Sequence, residues 1–206
     1  MAANCEDVTV PDHYFDATPA TPDKRQEIRT HIWGQDMTFT TASGVFATDG
    51  LDKATAVLLR NSTPPRGGVV LDLGCGWGPI ACALAGTGSV VWAIDTNERA
   101  LELTALNAAR QGVTVHATLP DAVPDDVSFD EIWSNPPIRI GKDALHALLL
   151  RWLPRLAPDG TARLIVGKNL GADSLQRWLV EQGWPTERLS SEKGFRILHI
   201  RRPVSH

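Results

Sequence analysis

The sequence predicts an α/β fold: a doubly wound, mostly parallel sheet covered by helices, preceded by a short N-terminal extension. Three observations lead there. From Val69 onward, short apolar runs alternate with segments of helical periodicity. The first run is followed at once by a glycine-rich turn that opens a helix. The second run ends in an acid, Asp95. Parallel strands joined by helices are buried on both faces, so they read as continuous apolar runs rather than alternating ones.

Composition sets the outer bounds. With 206 residues, 43% hydrophobic and 21% charged, the chain reads as one globular domain with a substantial core and not as a disordered segment. A formal net charge of −4 excludes a histone-like polycation but leaves room for local basic patches. The longest uncharged stretch, Leu73 to Ile94, contains five glycines and a proline, so no membrane association is expected. The opening MAANCEDVTV lacks the basic-then-apolar pattern of a signal peptide. Cys5, Cys75 and Cys82 form neither a CxxC pair nor an even-numbered framework. A reduced, cytoplasmic protein without disulfides is expected. The six histidines show no ligand spacing, and no metal is assigned.

The elements follow in order. The first ~25 residues are polar and rich in Pro, Thr and Asp, and predict a loose lead-in. His31 to Phe46 alternate weakly around Gly34, which suggests a small hairpin. Leu51–Arg60 has apolar residues at helical spacing and stops before Pro64 and Pro65. Residues 1–50 are therefore read as an extension and 51–206 as the domain. Val69–Leu73 is a buried strand, and Pro79–Ala85 a helix with proline at its start. Val90–Ile94 is a second strand. Arg99–Gln111 is a helix capped by Asn97 and stopped by Gly112. Val113–Ala117 and Asp130–Ser134 are strands. DALHALLLRWL is a helix closed by Pro154; TARLIVG, SLQRWLVEQG and RILHIRR are strand, helix and strand.

The turn DLGCGWGP carries the first functional signal. Gly74, Gly76 and Gly78 allow a sharp turn and let a ligand approach the bare backbone. The N–H groups there and at the helix start can hold a polar ligand group. Asp95, 23 residues after Asp72, can accept two hydrogen bonds from the ribose hydroxyls of an adenosine. A plain tight turn is the bland alternative. A nicotinamide site is the sharper one, but its fingerprint is GxGxxG, and here the third glycine falls one residue early. Asp72, inside the strand end, is unusual for that class. It can instead face the sulfonium or amino group of S-adenosylmethionine. On these residues the chain resembles the class I S-adenosylmethionine-dependent methyltransferases, whose signature is an acid followed by GxGxG. The resemblance spans about residues 52–202. It implies a seven-stranded, Rossmann-like sheet and S-adenosyl-L-methionine as cofactor, held by Asp72, Gly74, Cys75, Gly76, Gly78, Asp95 and Thr96. Cys75 would offer backbone and not thiol chemistry there, or simply fill space.

Ser134-Asn135-Pro136-Pro137-Ile138 is the second signal. Asn-Pro alone marks a rigid turn. Two prolines directly after the fourth strand are more telling, because ligands of doubly wound sheets bind at the carboxyl ends of the strands. The prolines fix the backbone, so the Asn135 side chain and the Pro136 carbonyl can project into the crevice. Those two acceptors suit an amine. An exocyclic amine conjugated to a ring is a poor nucleophile, since its lone pair is delocalised. Holding each N–H on an acceptor keeps the nitrogen nearer tetrahedral and aims the lone pair at the methyl group. Orientation of this kind can supply up to roughly 7–11 kcal/mol. Methylation at pyrimidine C5 would need a cysteine nucleophile, and none lies near this loop. The segment resembles the (N/D)PP(aromatic) motif of amino-methyltransferases, which implies catalytic roles for Asn135 and Pro136. Ile138 stands at the substrate position where Tyr or Phe often stacks the target, a contact worth ~1–3 kcal/mol per base. Trp77 or Phe195 would have to replace it, and core packing is the competing reading for both.

A third stretch narrows the acceptor. Gly44, Val45, Phe46, Leu51, Asp52, Thr55, Leu58 and Leu59 are similar to the "GVF…LD…T…LL" stretch of the small-subunit 16S rRNA guanine-N2 methyltransferases. That resemblance implies guanine N2 of ribosomal RNA as acceptor, RNA as partner, and Phe46 and Thr55 beside the cofactor. It leaves a homodimer open. A protein side chain or a small molecule is an alternative acceptor, and a non-catalytic cofactor-binding subunit is an alternative role. Basic residues cluster at Lys24, Arg25 and Arg29, at Arg139 and Lys142, and at Lys193, Arg196, Arg201 and Arg202. Charge runs are often no more than solvated faces. Arg139 and Lys142, beside the Asn-Pro-Pro turn, are expected to border the acceptor pocket and meet phosphates.

Overall fold

A computed structural model describes residues 22–203. Most of the expected lead-in, and Cys5, lie outside the described residues. Strands β1 (Arg25–Ile32) and β2 (Gln35–Ala42) form the hairpin. It begins earlier than the alternation suggested, because β1 carries Arg25, Glu27 and Arg29 on its exposed side. Trp33 and Gly34 make the turn with φ of 47° and 82°. A two-residue loop with both φ positive matches the twist of the flanking strands.

Helix α1 (Lys53–Arg60) starts at Asp52, whose carboxylate accepts the N–H groups of Ala54 and Thr55. Then come β3 (Val69–Leu73), α2 (Pro79–Ala85), β4 (Val90–Ile94), α3 (Glu98–Arg110) and β5 (Val115–Thr118). They are followed by β6 (Phe129–Ser134), α4 (Lys142–Trp152), β7 (Leu156–Gly167), α5 (Ala172–Glu181), β8 (Thr186–Glu192) and β9 (Phe195–Arg201). Asn97 caps α3 as expected, accepting the Ala100 N–H.

The main sheet has seven strands in the order β5-β4-β3-β6-β7-β9-β8. Strands β3 to β7 run parallel, and β9 is antiparallel to both β7 and β8. The seventh strand implied by the resemblance is β8. Its residues, TERLSSE, carry no apolar run because the strand lies at the sheet edge and is largely exposed. One sheet face packs against the hairpin, α1, α2 and α3, the other against α4 and α5. Asn107 of α3 docks the hairpin: its Oδ1 accepts the Thr40 N–H at 2.7 Å, and its Nδ2 donates to the carbonyls of Thr40 and Trp77, each at 2.8 Å. The sheet order turns back between β3 and β6. Crevices at such switch points are where open α/β sheets bind ligands.

Candidate functional site

The glycine turn leaves β3 and the Asn-Pro-Pro turn leaves β6, so the two meet at the switch point. Ser134 fastens the strand ends together by donating from Oγ to the Leu73 carbonyl at 2.6 Å. A Cβ added to Gly74 would lie 3.8 Å from Pro137 Cδ. Between the turns opens a cavity of about 380 Å³, within the range of small-molecule sites. Gly74, Gly76, Asp95, Thr96 and Phe46 line it from one side, and Asn135, Pro136 and Ile138 from the other.

The glycine turn is held by backbone bonds. Gly74 and Cys75 both donate to the Ile94 carbonyl, at 2.9 and 3.0 Å. Gly74, Gly76 and Gly78 have φ of 79°, 56° and 86°, where a side chain is strained. At Gly78 a Cβ would also press on Thr104, with contacts from 2.8 Å. Asp95 follows β4 and accepts the Gly76 N–H at 2.9 Å and the Asn97 N–H at 3.0 Å. Burial raises its pKa, against the pull of these amide bonds. Each carboxylate oxygen still has acceptor capacity. Cys75 is buried, and burial holds its thiol well above the usual range. It lines a small chamber behind the main cavity, and its Sγ accepts from Thr104 Oγ1 at 3.5 Å.

Asp72 is placed differently from the expectation. It is fully buried under the turn and is not among the residues lining the cavity. Its Oδ2 accepts the Ala81 N–H at 2.9 Å, in the first turn of α2. The reason is local: the acid precedes a helix start whose N–H groups need acceptors. Asp72 therefore supports the turn from beneath and is not part of the cavity wall.

On the other wall, Asn135 Nδ2 donates to Asp52 Oδ2 at 2.9 Å and to Thr55 Oγ1 at 3.1 Å. Thr55 is buried and lines the rear chamber, which also reaches Phe46 and Asn135. The Pro136 carbonyl accepts the Ile138 N–H at 2.8 Å, with Pro137 at φ −73°, ψ 73°. This inverse γ-turn occupies one lone pair of that carbonyl and leaves one. Sequence reasoning matched Asp52 only as part of a pattern; its contact with Asn135 spans 83 residues and left no local signal.

The stacking candidates separate. Trp77 is core: it is buried, stands edge-on to Phe39 at 5.1 Å and donates to the Ala47 carbonyl. Phe195, at the start of β9, lies on the cavity wall with Ile165 and Leu170. Among the basic residues, Arg25 pairs with Asp23 and Glu102, and Arg29 with Glu27. Arg196 pairs with Asp173, Arg201 with Glu187, and Arg202 donates to the Leu156 carbonyl. Most of the third cluster is thus tied up internally. Lys142 is the exposed first residue of α4 and does not itself line the cavity. Arg139 sits in the short 3₁₀ turn Ile138–Ile140. Among the described residues, no helix is long and apolar enough to cross a membrane, and no group of three or more His, Cys, Asp or Glu is placed to hold a metal.

Residues 36–199 match the model of the methyltransferase small domain. The chain belongs to that family. The methyltransferase is 31% identical over 198 residues to the uncharacterized protein YbxB of Bacillus subtilis, covering 93% of this chain and 98% of that one. It is 30% identical over 201 residues to ribosomal RNA small subunit methyltransferase C of Pseudomonas aeruginosa, covering 91% of this chain and 59% of the relative. The same enzyme of Citrobacter koseri is 34% identical over 149 residues, 67% of this chain and 44% of the relative. This methyltransferase thus spans about half the length of those two relatives. Among solved structures, the 16S rRNA N2 methyltransferase RsmC of T. thermophilus, with AdoMet and guanosine, superposes at a TM-score of 0.78. The match has 24% identity over 88% of this chain and 51% of that one, and shows the fold. The methyl donor of the family is S-adenosylmethionine, and the residues fit it. A Cβ on Gly76 would project into open space, the cradle stays bare of side chains, and the Asp95 carboxylate stands at its edge.

Proposed function

We propose that this methyltransferase modifies an exocyclic amine, and that the amine is guanine N2 of 16S ribosomal RNA. One observation carries the reading: the carboxamide of Asn135 and the glycine turn line the same cavity across the switch point. Bound along that turn, S-adenosylmethionine supplies a methyl carbon made electrophilic by its sulfonium. Asp95 takes the ribose hydroxyls, and Gly74, Gly76, Gly78 and Thr96 give the rest of the cradle. Asn135 Oδ1 and the remaining lone pair of the Pro136 carbonyl accept the two N–H groups of the amine. The lone pair is then aligned rather than generated, so no strong base is required.

The acceptor side is apolar, formed by Ile138, Leu148, Leu170 and Phe195. A planar base can slide between such walls. Phe195 offers a stacking surface where Ile138 does not. Names of the relatives support ribosomal RNA as the substrate, and Lys142 and Arg139 flank the turn that would meet it. The test is mass spectrometry of rRNA nucleosides from cells with and without the gene. Loss of N2-methylguanosine at one site of 16S rRNA is expected. An unchanged nucleoside profile, with methyl transfer to protein or to a small amine instead, would overturn it.

A further inference from the structure

We infer that Asp52 is a positioning residue for methyl transfer, one that decides which end of the Asn135 carboxamide faces the acceptor and that strengthens it as charge develops. This rests on the amine-transfer reading above. The two ends of a carboxamide are nearly the same size and opposite in chemistry. The oxygen accepts an N–H, whereas the NH₂ group can only donate. An asparagine turned the wrong way would present donors to a donor and would hold no amine. Nothing in the Asn-Pro-Pro turn itself selects the end, because prolines fix the backbone and leave the amide torsion free.

Asp52 selects it. An ionised carboxylate only accepts, so the group 2.9 Å from its Oδ2 has to be Nδ2 of Asn135. Thr55 Oγ1 accepts from the same nitrogen at 3.1 Å. The carboxamide oxygen is left for the cavity that Asn135 lines. Asp52 cannot readily turn away, because the same Oδ2 accepts the Ala54 and Thr55 N–H groups at 2.8 and 3.0 Å as the cap of α1. The helix start thus fixes a carboxylate, and the carboxylate fixes a carboxamide.

The arrangement also has a sign. As the amine nitrogen forms its bond to the methyl carbon, the carbon–sulfur bond breaks and its electron pair stays on sulfur. The nitrogen becomes positive until a proton leaves to water. Its N–H groups become stronger donors in that interval, and an acceptor backed by a negative charge gains most from them. Polarisation along a hydrogen-bonded chain works in this direction, from the Asp52 carboxylate through the carboxamide to Oδ1. The stabilisation is larger in the transition state than in the ground state, so it affects kcat and not cofactor affinity.

The test exchanges the two groups. Asp52→Asn keeps the helix cap, since Asn and Asp cap equally well, but removes the charge. We expect kcat with small ribosomal subunits to fall at least about tenfold, with the calorimetric affinity for S-adenosylmethionine within about twofold of wild type. Asn135→Asp sets two carboxylates against each other and should be worse. The double variant Asp52→Asn/Asn135→Asp rejoins one amide with one carboxylate and should recover at least about tenfold over Asn135→Asp alone. A residue serving only as a helix cap predicts no such recovery. Wild-type kcat in Asp52→Asn, or a double variant no better than Asn135→Asp, overturns the inference. A second readout does not depend on the acceptor. Of the two Asn135 side-chain amide protons, the one donated to Asp52 should be protected from solvent exchange in wild type and exchange faster in Asp52→Ser, which keeps a capping hydroxyl too short to reach, while Thr55 Oγ1 still accepts the other. Equal exchange in the two proteins overturns the clamp. If wild type transfers no methyl to any RNA, the proposed function fails, and the exchange result alone decides on Asp52.

Discussion

The carboxylate of Asp72 accepts the Ala81 N–H at 2.9 Å from beneath the glycine turn, with no solvent contact. Burial pushes its pKa to about 8; the Ala81 bond opposes this and the nearby Asp95 adds to it. Its other oxygen, Oδ1, has no hydrogen-bond partner among the described residues. Asp72 is thus a buried acid beneath the turn on which the proposed cofactor cradle is built.

Stability should therefore depend on pH in an unusual direction. An aspartate in the unfolded chain titrates near ~3.9. Between that value and about 8, the folded protein holds a proton that the unfolded chain has released. Stability contributed by this group is then fully present below the lower value and is lost as pH rises through the window. Asp72→Asn removes the titration. The variant should gain on wild type as pH rises, by on the order of a few kcal/mol at pH ~8, and show little advantage near pH ~4. Urea unfolding of both proteins across that range measures the difference. A variant no better at high pH than at low pH would contradict the assignment.

Asn107 should be costly to replace. It is fully buried and satisfies three backbone groups, two on Thr40 of the hairpin and one on Trp77 within the glycine turn. Asn107→Leu keeps the volume and orphans all three. Each buried unpaired group costs about 1–3 kcal/mol, so a loss of at least ~3 kcal/mol is expected in chemical denaturation. The hairpin should also loosen, seen as faster amide exchange at Thr38 to Thr40. A change below ~1 kcal/mol would mean that the hairpin docks by its apolar side chains alone.

The parts of this fold that were legible in the sequence are those whose signal is local. Strands β3 and β4 are largely buried and read as apolar runs. The glycine turn and the Asn-Pro-Pro turn are contiguous and keep their chemistry in a few residues. What escaped depends on partners far along the chain. The edge strand β8 is held by pairing with β9 and needs no apolar face of its own. Arg196 and Arg201 looked like part of a basic surface, yet each faces an acid in the fold. Asp72 looked like a ligand contact because its neighbours are glycines, whereas the helix start two residues past Pro79 takes its carboxylate. Asp52 is the plainest case: one residue of a resemblance pattern in sequence, and in space both the cap of α1 and the partner of Asn135.

Asp95→Ala should weaken binding of S-adenosylmethionine by about ten- to a hundredfold, or ~1.5–3 kcal/mol. Two losses combine, since the carboxylate faces the cavity and also holds the Gly76 and Asn97 amides in place. Asp95→Asn keeps an acceptor and should fall between Ala and wild type. Because burial raises the Asp95 pKa, affinity should begin to fall on acidification at a higher pH than an ordinary aspartate would give. Calorimetry at several pH values tests both statements, and an affinity unchanged in Asp95→Ala would remove Asp95 from the cradle.

Lys142 occupies the first position of α4, one short 3₁₀ turn after the Asn-Pro-Pro segment, and no ion pair holds it among the described residues. A cation there opposes the helix dipole, at a cost of about 0.3–1 kcal/mol. Helix stability therefore does not explain the residue, while a phosphate lying across the acceptor mouth would. If Lys142 meets one phosphate, Lys142→Ala should weaken RNA binding without regard to sequence. The slope of log affinity against log salt should become shallower by about 0.7–0.9. The variant should meanwhile be as stable as wild type, or slightly more so, because an unfavourable charge has left the helix start. Arg29→Ala supplies the comparison: Arg29 lies on the hairpin, is paired with Glu27 and is well exposed, and its loss should leave the slope unchanged. Equal slopes for wild type and Lys142→Ala, measured over the same salt range with the same RNA, would mean that the backbone of the substrate takes another route to the cavity.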